Sequence, residues 1–153
     1  MCQDNLVVQS DPVIAAAVLR VASQLVDGIQ QGLVRRGFDD VRPVHGFAFA
    51  RISGARATTS DLAAHLGVTK QAAAQLVEHL VQRGYLRREA NPNDGRARLL
   101  VLTDRGRACT VAAGQATGDA VQHWRDQLPD ELFTQLQEAL QRIALPGRLR
   151  PAW

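Results

Sequence analysis

A chain of 153 residues that is 46% hydrophobic is long enough for one domain, or for one domain extended by helices that a partner covers, and excludes disorder over most of its length. No apolar run approaches the roughly 18 residues of a membrane span, and the polar, acidic start MCQDNLVVQSDP is unlike a signal peptide, so a cytoplasmic protein without membrane contact is expected. Cys2 and Cys109 make neither a CxxC motif nor a dense framework, which argues against a disulfide scaffold, a zinc site or another cofactor.

The net charge of +3 is unevenly placed. Residues 56–107 hold nine basic and five acidic side chains, and the rest holds nine and ten. A basic middle between near-neutral ends fits a phosphate-facing module in a larger scaffold, although solvated surface charge would produce it too.

In chain order, Ile14, Val18, Val21, Leu25, Ile29 and Leu33 recur every three or four residues and predict one long amphipathic helix from Pro12 to about Leu33, with the proline near its first turn. Gly37 and Asp39-Asp40 end it. Pro43 opens a second helix through about Ile52, which Ser53-Gly54 breaks. In residues 58–86, TTSDLAAHLGVTKQAAAQLVEHLVQRGYL, Thr58 and Asp61 make a variant capping box, Leu62, Ala63 and Leu66 face inward, and Gly67 permits a tight turn. Thr69 caps the next helix. There Ala73, Leu76, Val77 and Leu80 share one face, while Gln71, Gln75, Glu78 and Gln82 lie nearly opposite with Ala74 beside them.

Two short helices joined at a glycine make either an ordinary αα-hairpin or a helix-turn-helix, whose second helix enters the DNA major groove by its N-terminal residues. The side chains suit the second reading. Gln71 and Gln75 carry the paired donor and acceptor that match adenine N6 and N7, Ala74 is small enough for a thymine methyl, and Lys70 and Thr69 can hold phosphates.

Next comes YLRREANPNDGRARLLVLT, residues 85–103. Asn93-Asp94-Gly95 is a hairpin turn in which Asp-Gly would supply positive φ angles, and arginines crowd both sides. They are either solvated charge or a wing with Arg96 as a minor-groove probe and Arg87, Arg88 and Arg98 near phosphates. Beyond it, Thr103 can cap a helix through Ala108, Ala112, Ala116, Ala120 and Trp124 to Gln127. Pro129 starts the last helix, striped by Leu132, Phe133, Leu136, Ala139, Leu140 and Ile143 and ending at Pro146-Gly147.

The succession of glycine turn, TKQ-initiated helix, RGYLRRE, NPNDGRARLLVLT and DRGR resembles the MarR family of winged-helix transcriptional regulators across nearly the whole chain. The diagnostic element is the wing motif Asp-x-Arg, here Asp94-Gly95-Arg96, followed by Leu102-Thr103-Asp104-Arg105-Gly106. The resemblance implies a mainly α fold with a β-hairpin wing: a winged helix-turn-helix lobe at 43–102 and dimerisation helices at 12–36 and 103–145. It implies that Arg96 enters the minor groove, that Asp94 helps orient it, and that Gly95 stands where many members have a second arginine. A homodimer, a palindromic double-stranded DNA operator and repression are implied as well. Members often bind small aromatic or phenolic effectors beside RPVHGFAFARI, which makes His45, Phe47 and Phe49 pocket candidates, against the plainer reading of Phe47 and Phe49 as core residues and His45 as a satisfied polar group. Cys109 could be a redox switch, but oxidation-sensing relatives carry their cysteine in the first helix, which favours the plainer reading of a buried thiol.

The rival function is a winged helix that docks proteins and shows no salt-dependent DNA binding. An enzyme finds no support, because G-x-G-x-x-G, P-loop, G-x-S-x-G and H-E-x-x-H patterns are missing, and neither cysteine follows a proline as in the DNA alkyl transferases. His65, His79 and His123 are scattered, which disfavours a metal sensor.

Overall fold

The computed structural model describes residues 4–144. Its elements are α1 (Asp4–Arg35), α2 (Pro43–Gly54), α3 (Thr59–Leu66), α4 (Lys70–Gln82), β1 (Leu86–Ala90), β2 (Arg98–Leu102), α5 (Asp104–Gln127) and α6 (Asp130–Ile143). This is the expected mainly α fold with one hairpin.

Each boundary has a local cause. α1 ends in a Schellman motif, with Gly37 at φ 84° while the Phe38 N–H reaches Leu33 O and the Gly37 N–H reaches Val34 O, both at 3.0 Å. α4 ends the same way at Gly84. α3 opens on the expected capping box: the Thr58 N–H donates to Asp61 Oδ2 (2.8 Å) and the Asp61 N–H to Thr58 Oγ1 (3.3 Å). Thr69 Oγ1 caps α4 through the Ala72 N–H, and Thr103 Oγ1 caps α5 through the Gly106 N–H.

Two expectations about α1 need correction. Pro12 lies inside the helix, because residues 4–11 contain no glycine or second proline and one missing backbone bond does not stop it. An 18-residue window of Asp11–Arg35 has a mean hydropathy of 1.5, so by length and composition alone this helix is apolar enough to cross a membrane, where no such span was expected. Its small residues point instead to helix packing: Gly28 and Gly32 lie against Ala120 and Ala116 of α5, and a Cβ on Gly32 would come within 2.5 Å of the Ala116 Cβ. Arg36 fastens the pair through Asp119 at 2.7 Å. The expected close of the last helix at Pro146-Gly147 lies outside the described residues; α6 itself stops at Ile143.

The core occupies the middle of the chain. Leu62, Val77, Leu80, Tyr85, Leu86 and Cys109 are its most completely buried large side chains, and the C-terminal part of α1 and the first half of α5 close over them. β1 and β2 pair antiparallel from Leu86↔Leu102 to Ala90↔Arg98, and Ala57 adds a single bridge to Leu100. The outer helices are different. Ile14 (60%), Val18 (53%) and Leu19 (71%) of α1 and Leu132 (48%) and Ile143 (71%) of α6 are exposed.

Candidate nucleic-acid interface

α4 buries Ala73, Val77 and Leu80, which turns Lys70, Gln71, Ala74 and Gln75 outward. All four are exposed, as is Thr69. The N-terminal turn of α4 thus presents one cation, two carboxamides and a methyl group on a fixed helix. Further along that face, Glu78 accepts from Gln82 Nε2 (3.1 Å) and from Arg88 of β1 (3.0 Å). The Arg88 and Gln82 bonds hold its carboxyl below the usual range.

The wing differs from a tight Asp-Gly hairpin. Seven residues, 91–97, join the strands, and Gly95 is not among the positive-φ residues. Two side chains shape the loop instead: Asn91 Oδ1 accepts from the Asn93 N–H (3.1 Å) and Asp94 Oδ1 from the Arg96 N–H (2.9 Å). Such Asx turns bend the chain without left-handed residues. The Asp94 carboxylate thus bonds the main chain of Arg96, and the Arg96 side chain is exposed.

The expected basic residues fall into two groups. Arg87 pairs with Glu89 (2.6 Å) and Arg88 with Glu78 (3.0 Å); Lys70, Arg96 and Arg98 take part in no ion pair among the described residues. Exposed pairs are worth only about 0–1 kcal/mol. A phosphate can displace Glu89 or Glu78 at little cost, but the unpaired cations need no displacement.

Behind the lobe, α1, α2 and α5 line a half-open cavity of about 310 Å³ with apolar walls from Val26, Ile29, Leu33, Phe47 and Phe49. Arg42 stands at it without an ion-pair partner among the described residues. Phe47 and Phe49 meet there, but His45 does not. It is buried on another face of α2, where its Nδ1 accepts the Arg42 N–H (3.1 Å) and its ring lies 5.5 Å from that of His79. Burial, then His79 and Arg42, lowers its pKa from 6.5 to about 4. Cys109 lines the cavity base; burial, aided by Asp40 and opposed by Arg105, pushes the thiol up to about 11, so it is not a ready thiolate. Cys2 lies outside the described residues. No cluster of three or more metal-ligating side chains occurs among them.

Sequence reading missed the cluster at the foot of the lobe. Tyr85, the chain's one tyrosine, donates to Asp40 Oδ1 (2.5 Å) and accepts from Arg105 (3.0 Å), and the guanidinium of Arg105 stacks 4.5 Å from its ring centre. A lone tyrosine directly after Gly84 was the available signal.

These features define a winged helix-turn-helix protein whose recognition helix and wing face solvent. A model described as the MarR family matches residues 45–97. Among solved structures, the chain is similar to the YusO protein of Bacillus subtilis (18% identity, TM-score 0.71, covering 94% of this chain and 100% of that one). It is similar to a mutant MarR of E. coli complexed with operator DNA (23%, 0.68, 90% and 96%). It is also similar to CouR of Rhodococcus jostii bound to p-coumaroyl-CoA (24%, 0.65, 92% and 97%). No curated protein matches the chain. The sequence match to the MarR family thus covers residues 45–97, within the winged-helix lobe, and the solved structures share the fold over nearly the whole chain.

Proposed function

We propose that this chain is a sequence-specific double-stranded DNA-binding transcriptional regulator that acts as a homodimer. The observation that carries the reading is the joint exposure, on one lobe, of the α4 N-terminal turn (Lys70, Gln71, Gln75) and the unpaired wing cations Arg96 and Arg98. A carboxamide-bearing helix end suits base edges in the major groove, and a basic loop beside it suits the adjacent minor groove and phosphates. Relatives of the same fold include one complexed with operator DNA, which supports the reading. The division of labour is a lobe at 43–102 that reads DNA and outer helices, 12–36 and 103–145, that dimerise. The exposed apolar faces of α1 and α6 support that second part, since stripes of this kind need cover.

Repression is the proposed sense of regulation, relieved by a small apolar or aromatic molecule in the cavity between α1, α2 and α5. Phe47 and Phe49 would flank the ligand, with Arg42 meeting an acidic group. The ligand-bound relative supports such an effector. Its volume, about 310 Å³, suits a small ligand.

Selection of bound fragments from genomic DNA tests the function. Enrichment of a palindrome, with affinity that falls steeply as salt rises, is the expected result. A protein-docking winged helix would enrich nothing, and a monomeric mass by light scattering would remove the dimer.

A further inference from the structure

We propose that Asp40, Tyr85 and Arg105 form a latch that fixes the angle of the recognition helix against the dimerisation helices, and so sets the distance between the two half-sites. The inference rests on the proposed DNA-binding homodimer for its consequence but not for its geometry.

Tyr85 follows α4 by three residues and precedes β1. Its ring is 1% exposed and lies 5.6 Å from Phe49 of α2 and 6.4 Å from Phe38 after α1. A phenylalanine would fill that site, so core packing alone does not call for the hydroxyl. Both groups bonded to the hydroxyl lie outside the recognition helix and wing: Asp40 in the link that leads out to α1, and Arg105 in the first turn of α5. Asp40 Oδ2 also faces Arg105 at 3.4 Å and Arg83, at the end of α4, at 3.8 Å.

The main chain of Tyr85 joins the same elements. Its carbonyl accepts from the Thr103 N–H (3.0 Å) and faces Thr103 Oγ1 (3.1 Å), and it lies so close to Gly106 that a Cβ there would overlap it. Its own N–H closes the last turn of α4 at Leu80 O. One residue therefore holds the end of the recognition helix, the start of α5 and the exit of α1. Rotation of the lobe on the outer helices must break the Asp40–Tyr85–Arg105 contacts first.

Burial alone would raise the Asp40 pKa, but the Tyr85 hydrogen bond, Arg105, its own backbone N–H and Arg83 outweigh that and keep it below its ordinary value. Asp40 is thus held as the carboxylate the latch requires. Burial, then the bond to Asp40, pushes the Tyr85 phenol up to about 12, so its proton stays in place as donor.

The test uses full-length dimers of wild type, Tyr85→Phe and Asp40→Asn in two arms. In the first, a spin label is placed by Asn93→Cys with Cys2→Ser, Cys109 being spared by its 1% exposure, and the wing-to-wing distance distribution is read by electron–electron resonance without DNA. The latch gives a narrow distribution in wild type and a broadened one in both variants; unchanged width overturns it. In the second, affinities are measured on a genomic palindrome selected by wild type, on its isolated half-site, and on palindromes one base pair longer or shorter at the centre. Loss of one charge-assisted hydrogen bond per subunit is expected to cost at least about tenfold on the palindrome, to leave the half-site unchanged, and to narrow the discrimination between spacings. Equal loss on palindrome and half-site would make the cluster a fold support only and overturn its positioning role. A wild type that selects no DNA sinks the regulator reading, while the label distances still decide the latch.

Discussion

Replacing His45 by glutamine should remove a pH dependence of stability that this side chain builds into the lobe. The ring is 5% exposed, its Nδ1 is committed to the Arg42 N–H, and burial with the neighbouring His79 and Arg42 takes its pKa from 6.5 to about 4. The folded protein thus binds this proton less readily than the unfolded chain. The contribution is fully present above the unfolded value near 6.5, falls as pH drops, and levels off near 4. A difference of that size corresponds to roughly 3 kcal/mol as an upper bound. Asp40, Asp61 and Glu78, whose pKa values are lowered, lose their contributions at more acid pH, below the ordinary carboxylate range, so the two windows separate. Glutamine at this third helical position can still accept the Arg42 N–H. Urea unfolding at one protein concentration, from pH 7.5 to 4.5, should show wild type losing stability steeply below pH 6.5 and His45→Gln losing much less. Parallel curves in that window would refute the assignment of a buried neutral imidazole.

Gly32→Leu should lower the melting temperature by several degrees, since overpacking costs about 1–3 kcal/mol and any Cβ there meets Ala116; Gly114→Ala, where a Cβ meets nothing within 4 Å, should raise stability by up to about 1 kcal/mol. Gln75→Ala should cost roughly 1–3 kcal/mol per half-site and relax preference at one symmetric pair of positions, whereas Arg87→Ala should weaken all sequences alike; equal loss on every sequence for Gln75→Ala would leave it a positioning contact. Arg96→Ala should leave the dimer folded, because its exposed side chain supports no other group among the described residues, and make the salt dependence of binding less steep. Wild-type affinity and salt slope in that variant would remove Arg96 from the interface.

Local signals made most of the fold legible. Thr58, Thr69 and Thr103 each precede an apolar period and each caps a helix, and Gly37, Gly67 and Gly84 carry the positive φ angles. Gly95 misled because an Asp-Gly pair permits a left-handed turn without requiring one, and Asn91 and Asp94 offered their side chains as alternative acceptors. His45 follows the plainer of its two readings, a satisfied buried polar group, and not the pocket one. A segment can be placed beside a cavity from its position in the chain, but which face of α2 points into it depends on how α2 sits on α4 and α5. The Asp40–Tyr85–Arg105 cluster joins residues 45 and 20 positions apart, a proximity that no local period encodes.

The most direct test of the central reading is a footprint of the dimer on a fragment it has selected, with major-groove guanine methylation and minor-groove sugar cleavage read on the same DNA. Helix α4 in the major groove and the 91–97 loop in the minor groove predict two major-groove protections about 10 base pairs apart, or a near multiple, each flanked by a minor-groove protection that Arg96→Ala erases. Protection confined to one groove, or minor-groove protection that survives Arg96→Ala, would contradict it.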